Sequence, residues 1–393
     1  MSATTILKLN HYCLYETFRQ IKANCELNRR SPEKYWDLIN FVISCERFVN
    51  VFKEWNFDLY KELHIDFAFL QAKNMVTIDL ARVYDSLKSV SKASKELYWK
   101  LYVNAVKENK QMNGMSITFK PSRYNPEHLE RFEVLINAIK NKISLQTLFI
   151  DVPGYSLQNV PPLGRLRILY LNVRMNAEDL VQLVRANRFL NSLTFANTEL
   201  YGSFADIVPY CKHLEVLDLT MKPGIDATKY APLANLPLLE ILRLRGYHQS
   251  GTLVKLFQNL KGRGLQRLDI PDILLSKQEA QAMLQLSTLS HILCGFSDKQ
   301  IVADMAHLKN LKFVYLYARR GQLVLLVELM GLAKKSTIEI NIKYRHLVIS
   351  MSNELGELKV SFYNDGDDEL VDVDFDDFDM LADHCPHCHH LKN

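Results

Sequence analysis

The sequence predicts an α/β repeat solenoid, a curved stack of parallel strands with helices on its outer side, preceded by a small helical domain. Three observations carry this expectation. The pattern L-x-x-L-x-L, with conservative substitutions, recurs nine times in the 393-residue chain. Apolar and polar residues alternate within each copy, and amphipathic segments with helix start signals lie between copies. Ahead of the copies, residues 7 to 57 carry three stripes of apolar residues at helical spacing.

The copies are SLQTLFI, RLRILYL, FLNSLTF, HLEVLDL, LLEILRL, GLQRLDI, LSHILCG, NLKFVYL and STIEINI. Their first pattern positions are Leu145, Leu166, Leu190, Leu214, Leu239, Leu265, Leu289, Leu311 and Thr337, separated by 21, 24, 24, 25, 26, 24, 22 and 26 residues. Periods of roughly 20 to 29 residues are those of leucine-rich repeats. Alternation sends Leu217 and Leu219 to one face of a short strand and Asp218 and Thr220 to the other. Ser276 and Glu279 have the spacing of a capping box, opening a helix that carries Ala280, Met283 and Leu284. Ser250 precedes a second stripe of Leu253, Leu256, Phe257 and Leu260. Neither a strand nor a helix of this size buries its apolar face alone, so stacked units share one core.

The expected horseshoe has its parallel sheet inside and its helices outside. Strand positions expected to be exposed are Phe149, Tyr170, Asp218, Arg243, Arg245, Asp269, Tyr315, Tyr317, Asn341 and Lys343. Tyrosine and arginine combine large contact area with directed hydrogen bonds, which makes Tyr170, Arg243, Arg245, Tyr315 and Tyr317 the candidate substrate-binding residues. The array proper is expected over residues 144–363. In residues 58–143, LYKELHIDF (59–67) and GMSITFKP (114–121) read as irregular first repeats. Between them a basic, helix-prone insertion, roughly 72 to 111, has Val83, Leu87 and Val90 as its packing stripe.

In the first segment Leu14, Phe18 and Ile21 recur at i, i+4 and i+7, and Asn10 is placed to cap the turn before them. Ser31 and Pro32 supply a cap and a first-turn proline for a helix carrying Tyr35, Leu38, Ile39 and Val42. Phe48, Phe52 and Trp55 form the third stripe. LNHYCLYETF followed by SCERFVNVF resembles an F-box, a helical domain with a leading leucine, an apolar helix and a later Cys-Arg-aromatic segment. Leu9, Leu14, Phe18, Cys45, Arg47 and Phe48 match the family's positions, while Asn10, Tyr12 and Thr17 depart from its pattern. With residues 1–57 as this domain, the chain is similar to divergent, insect-like F-box/leucine-rich-repeat proteins. The resemblance implies a non-catalytic substrate-recognition subunit of an SCF-type ubiquitin ligase. Its F-box would dock a Skp-type adaptor bound to a cullin, with those six residues at the adaptor, and its repeats would hold a protein target for ubiquitination. A leucine-rich-repeat scaffold outside any ligase, its helices only covering the end of the array, remains the alternative.

Composition narrows the remaining classes. The net charge of +4 includes NDGDDELVDVDFDDFD (364–379), which has nine acids and no base, so the rest of the chain stands at +13. That segment opens a tail, residues 364–393, expected to be disordered and solvated. The basic body lacks a dense basic run with interleaved aromatics, so no nucleic-acid partner is expected. Seven cysteines, mostly far apart, and the absence of N-x-[ST] sequons favour reduced thiols in the cytosol or nucleus. No signal peptide or membrane span is read; the longest apolar run, GQLVLLVELMGLA, is too short and carries Glu328. Phosphate loops, nucleophile elbows and zinc-protease helices are absent from the sequence, and neither catalysis nor a cofactor is expected. Cys385 and Cys388, among four histidines in DHCPHCHHLKN, have spacing that suits a metal, but the better expectation is a flexible tail with exposed thiols.

Overall fold

The computed structural model describes residues 9–27, 35–86, 92–119, 126–140, 142–157, 163–198, 200–296, 298–317, 325–344, 347–354, 356–364 and 367–370. The chain divides into two compact units, one of residues 1–152 and 161–165, the other of residues 153–160 and 166–393.

The first unit opens with α1 (His11–Leu27), α2 (Trp36–Ile43), α3 (Glu46–Trp55), α4 (Phe57–Glu62) and α5 (Ile65–Ala72). The Asn10 side chain caps α1, its Oδ1 accepting from the Cys13 amide at 2.8 Å. The three stripes converge: Leu14, Phe18, Leu38, Val42, Phe48 and Phe52 form one buried cluster. Phe18 meets Phe52 edge-on at 5.1 Å, and Phe41 stacks on Phe48 at 5.1 Å. Ser31 and Pro32 lie outside the described residues.

LYKELHIDF is helical rather than an irregular repeat. Asn56 caps α4, accepting from the Leu59 amide at 3.0 Å, and Leu59, Tyr60 and Ile65 complete the same helical core. A pattern position shared by short strands and helices cannot separate the two. The expected insertion is likewise part of the strand series. It contains β1 (Met75–Asp79), α6 (Leu80–Ser86) and α7 (Lys92–Glu108). Strand β1 pairs in parallel with β2 (Gly114–Thr118), with Val76 opposite Met115. Buried Trp99, Tyr102 and Val106 give α7 a core face; Leu87 and Val90 fall outside the described residues. Helix α8 (Pro126–Ala138) precedes β3 (Thr147–Ser156), whose first five residues pair with β2. Buried Asn109 closes α7 with four hydrogen bonds: Nδ2 donates to the carbonyls of Leu70 and Lys73, and Oδ1 accepts from the amides of Gln111 and Met112. That is the full capacity of an amide side chain.

In the second unit, β4 (Ile168–Asn176) is followed by α9 (Ala177–Ala186), β5 (Ser192–Phe195), β6 (Leu200–Tyr201) and a 3-10 turn at Phe204–Tyr210. Then come β7 (Val216–Thr220), a second 3-10 segment at Ala227–Asn235, β8 (Ile241–Arg245), α10 (Val254–Leu260) and β9 (Arg267–Leu275). The series continues with α11 (Lys277–Met283), β10 (His291–Phe296), α12 (Lys299–Met305), β11 (Phe313–Tyr317), α13 (Leu326–Lys335) and β12 (Glu339–Tyr344). Strands β4, β5 and β7 to β12 pair in parallel, each with the next. The two 3-10 connections contain Pro209 and Pro232, which lack the amide an α-helix needs. Eight of the nine first pattern positions are buried; Thr337 is exposed, and Ile338 beside it is buried. Parallel strands joined by short helices and buried leucines at this period make the unit a leucine-rich-repeat array.

The parallel series ends at β12 rather than continuing to residue 363. Strands β13 (Leu347–Glu354), β14 (Glu357–Asn364) and β15 (Asp367–Leu370) form an antiparallel meander after it. Two-residue connections suffice for hairpins but not for a parallel crossover. Residues 367–370, expected within the disordered tail, thus form a strand.

The core of the first unit yields a direct test. Phe18→Ala is expected to destabilise it by about 3 to 4 kcal/mol, because a fully buried ring leaves a cavity. Exposed Tyr12→Ala is expected to stay within about 0.5 kcal/mol of wild type. Urea unfolding followed by far-UV circular dichroism and tryptophan fluorescence measures both.

Candidate binding surface on the strand face

Register aligns the outward residues of the array in rows. One row runs Tyr170, Thr194, Asp218, Arg243, Asp269, Leu293, Tyr315, Asn341. A row two residues earlier runs Ile168, Ser192, Val216, Ile241, Arg267, His291, Phe313, Glu339. The expected face is therefore the right one, but its residues are not uniformly exposed. Asp218, Asp269 and Asn341 are buried, contrary to expectation. Phe149, Tyr170, Tyr315 and Lys343 are half-buried, and the side chain of Tyr317 lies outside the described residues.

Ion pairing covers the two aspartates. Arg243 donates from Nε and Nη2 to Asp269 Oδ2 at 3.0 and 2.9 Å, and from Nη1 to Asp218 Oδ2 at 3.1 Å. Arg245 donates to Asp218, and Arg267 Nε reaches both oxygens of Asp269 at 3.0 Å. Burial works against the Arg243 cation, but the two carboxylates outweigh it and raise its pKa. A legible signal for this network lay in the repeats: the fifth pattern position of three consecutive copies reads Asp218, Arg243, Asp269.

A second polar cluster joins the β8–α10 connection to α11. Glu279 and His248 are wholly buried and meet at 2.7 Å. Glu279 also accepts from the amides of Leu253 and Ser276 and from the Ser276 hydroxyl, completing the expected capping box. Burial alone would raise the Glu279 pKa, yet the hydrogen bonds from His248, Ser276 and Leu253 overcome it and lower it to about 2. The carboxylate is therefore ionised and donates no proton, a structural anchor holding two connections. Its histidine partner, 31 residues away, was not legible in the capping-box pattern.

The six residues that match the F-box pattern in sequence lie in the first unit. Leu14, Phe18 and Phe48 are buried in its own core, so they shape the helices rather than offer a surface. Leu9 and Cys45 are partly buried against that core, and Arg47 Nη2 donates to the carbonyl of Leu9, two residues before α1, tying α3 to the chain that leads into it. The opposite side of α1 presents Tyr12, 70% exposed, and Leu27, 82% exposed.

Five cysteines fall among the described residues and all are free; burial pushes the thiols of Cys211 and Cys294 up to about 12. Among the described residues no group of three His, Cys, Asp or Glu side chains could hold a metal, and no helix is long and apolar enough to cross a membrane. Cys385 and Cys388 lie outside them. A cavity of about 70 Å³, lined in part by Asn197, Lys222, Lys229 and Tyr230, is far below the several hundred Å³ of a small-molecule site.

No family model matches the chain, and no curated protein matches it. Among solved structures, TLR13 in a complex with ssRNA13 is similar at 16% identity over 55% of this chain, with a TM-score of 0.35. The matched region covers only 34% of the TLR13 chain. An internalin of Listeria monocytogenes str. 4b F2365 is similar at 15% identity over 61% of this chain and 78% of that one, with a TM-score of 0.32. A leucine-rich-repeat protein of Leptospira interrogans is similar at 15% identity over 60% of this chain and 74% of that one, with a TM-score of 0.29.

Both polar clusters make measurable predictions. Asp269→Ala removes the shared acceptor of Arg243 and Arg267 and is expected to cost about 2 kcal/mol, reduced from a fully buried pair because the arginines are over a third exposed. Urea unfolding measures it. Glu279, lowered from 4.5 to about 2, contributes about 3 kcal/mol that is complete above pH 4.5 and lost as pH falls through about 2. Glu279→Gln is therefore expected to flatten the stability profile over that window in acid-unfolding curves.

Proposed function

We propose that the chain is a substrate-recognition subunit of an SCF-type ubiquitin ligase in the cytoplasm or nucleus. In this reading the helices α1 to α3 dock a Skp-type adaptor, and the strand face of the array holds a protein target. The observation that carries it is the two-sided character of α1. Its Leu14 and Phe18 face is sealed in the core, while Tyr12 near its start and Leu27 at its end are exposed on the other side. Side chains of this kind, amphipathic Tyr12 and aliphatic Leu27, are available to a partner that contacts the outer side of the helix. The chain contributes no chemistry of its own. Holding the target near a charged conjugating enzyme raises its effective concentration.

A protein-interaction scaffold without ligase association is the second reading. It is favoured by the burial of Leu14, Phe18 and Phe48, which packing alone accounts for.

Capture by an immobilised Skp-type adaptor separates the two. Wild type is expected to bind, and Tyr12→Asp with Leu27→Asp to lose binding while keeping its unfolding midpoint. Failure of wild type to bind overturns the ligase reading. These exposed positions are preferable to Leu14 and Phe18, whose substitution would unfold the unit, and to deletion of residues 1–57, which would strip partners from Leu59, Tyr60 and Ile65.

A further inference from the structure

The arginines of the strand face are not fully used by the protein. Arg243, Arg245 and Arg267 side chains are 35%, 40% and 39% exposed, above Asp218 and Asp269 at 7% and 1%. A guanidinium has five N–H donors. Arg243 engages three of its nitrogens, but Arg245 uses only Nη2 and Arg267 only Nε, so their remaining donors have no acceptor among the described residues. Arg243 shares Asp218 with Arg245 and Asp269 with Arg267, which links the three groups and limits their rotation, lowering the entropy lost when a further anion binds.

Charge selects the anion. The three guanidinium groups and the two carboxylates they bind carry one net positive charge, and the next carboxylate, Asp272, is held on the Gly246 amide with no ion pair to the three arginines among the described residues. One more carboxylate brings the cluster to neutrality. A phosphate monoester, at about −1.5 to −2, would overshoot beside Asp218 Oδ1, which is buried and has no donor among the described residues. The surroundings select what carries the carboxylate: Val216 and Ile241, half-buried in the row of Arg267, and Ile168 further along that row offer apolar contact.

We propose that Arg243, Arg245 and Arg267 form a carboxylate-recognition site, and that the partner is a protein segment presenting an aspartate or glutamate beside aliphatic or aromatic side chains. The inference rests on the reading that the strand face binds protein targets and is independent of adaptor docking.

Random peptides of about 12 residues displayed on phage, selected on the full chain and in parallel on R245A/R267A, test it. The wild-type pool is expected to be enriched in Asp and Glu next to Leu, Ile or Phe, and the variant pool to lose that enrichment. Synthetic peptides from the wild-type pool are expected to weaken by about tenfold when the selected acid becomes its amide, and to gain nothing when it becomes phosphoserine. No acidic enrichment, enrichment that survives R245A/R267A, or no selectable peptide overturns the proposal; tighter binding of the phosphoserine peptides overturns the choice of carboxylate. Should R245A/R267A unfold, R245K/R267K keeps both charges and removes the planar fork, and unchanged peptide affinity there also overturns it. Adaptor capture is read separately, so a failed selection with the adaptor still bound counts against this site and not against the docking helices.

Discussion

One ladder of apolar side chains governs the second unit. Leu169, Leu193, Leu217, Leu242, Leu268, Ile292, Val314 and Ile340 share a single register across eight strands. All are buried, each contributing on the order of 2 kcal/mol. A slip of one residue anywhere would turn a whole strand's leucines outward. No single repeat could offset the entropy of ordering its own backbone, so the ladder stabilises only as a stack. The stack then needs an end, which the antiparallel meander supplies. Its last described strand, Asp367–Leu370, is short and carries three acids, features that discourage further strand addition.

The same register concentrates polar chemistry on the opposite side of the strands. Residues facing away from the ladder recur above one another, so an Asp-Arg-Asp sequence along the repeats becomes a row of direct neighbours in space. Arginine is suited to this position because its planar fork spans two carboxylates on adjacent strands. The resulting network is a structural element whose arginines remain partly exposed. Buried amides play a quieter part. Asn187 follows α9 and binds the Leu166 amide and the Leu183 carbonyl, as Asn109 binds four backbone groups after α7.

The first unit divides its residues by task. Aromatic rings from α1, α2 and α3 supply its interior, and the Arg47 contact to Leu9 fixes where α1 begins. A smaller set of side chains points outward, Tyr12 and Leu27 among them.

The repeat period, the buried leucines, the Asn10 cap, the Ser276–Glu279 capping box and the three helical stripes were legible in the sequence because each is a local pattern with a fixed spacing. The helical state of residues 59–67 and the strand at Met75–Asp79 were not, since short apolar runs fit either geometry until neighbouring packing selects one. The end of the parallel series was hidden in connection length rather than in the apolar pattern. The sequence by itself determined which face of each strand points outward. Only the tertiary structure decided that Asp218 and Asp269 are covered there, and that His248 meets Glu279, because those contacts join side chains from different repeats whose approach is set by the stacking of the whole array.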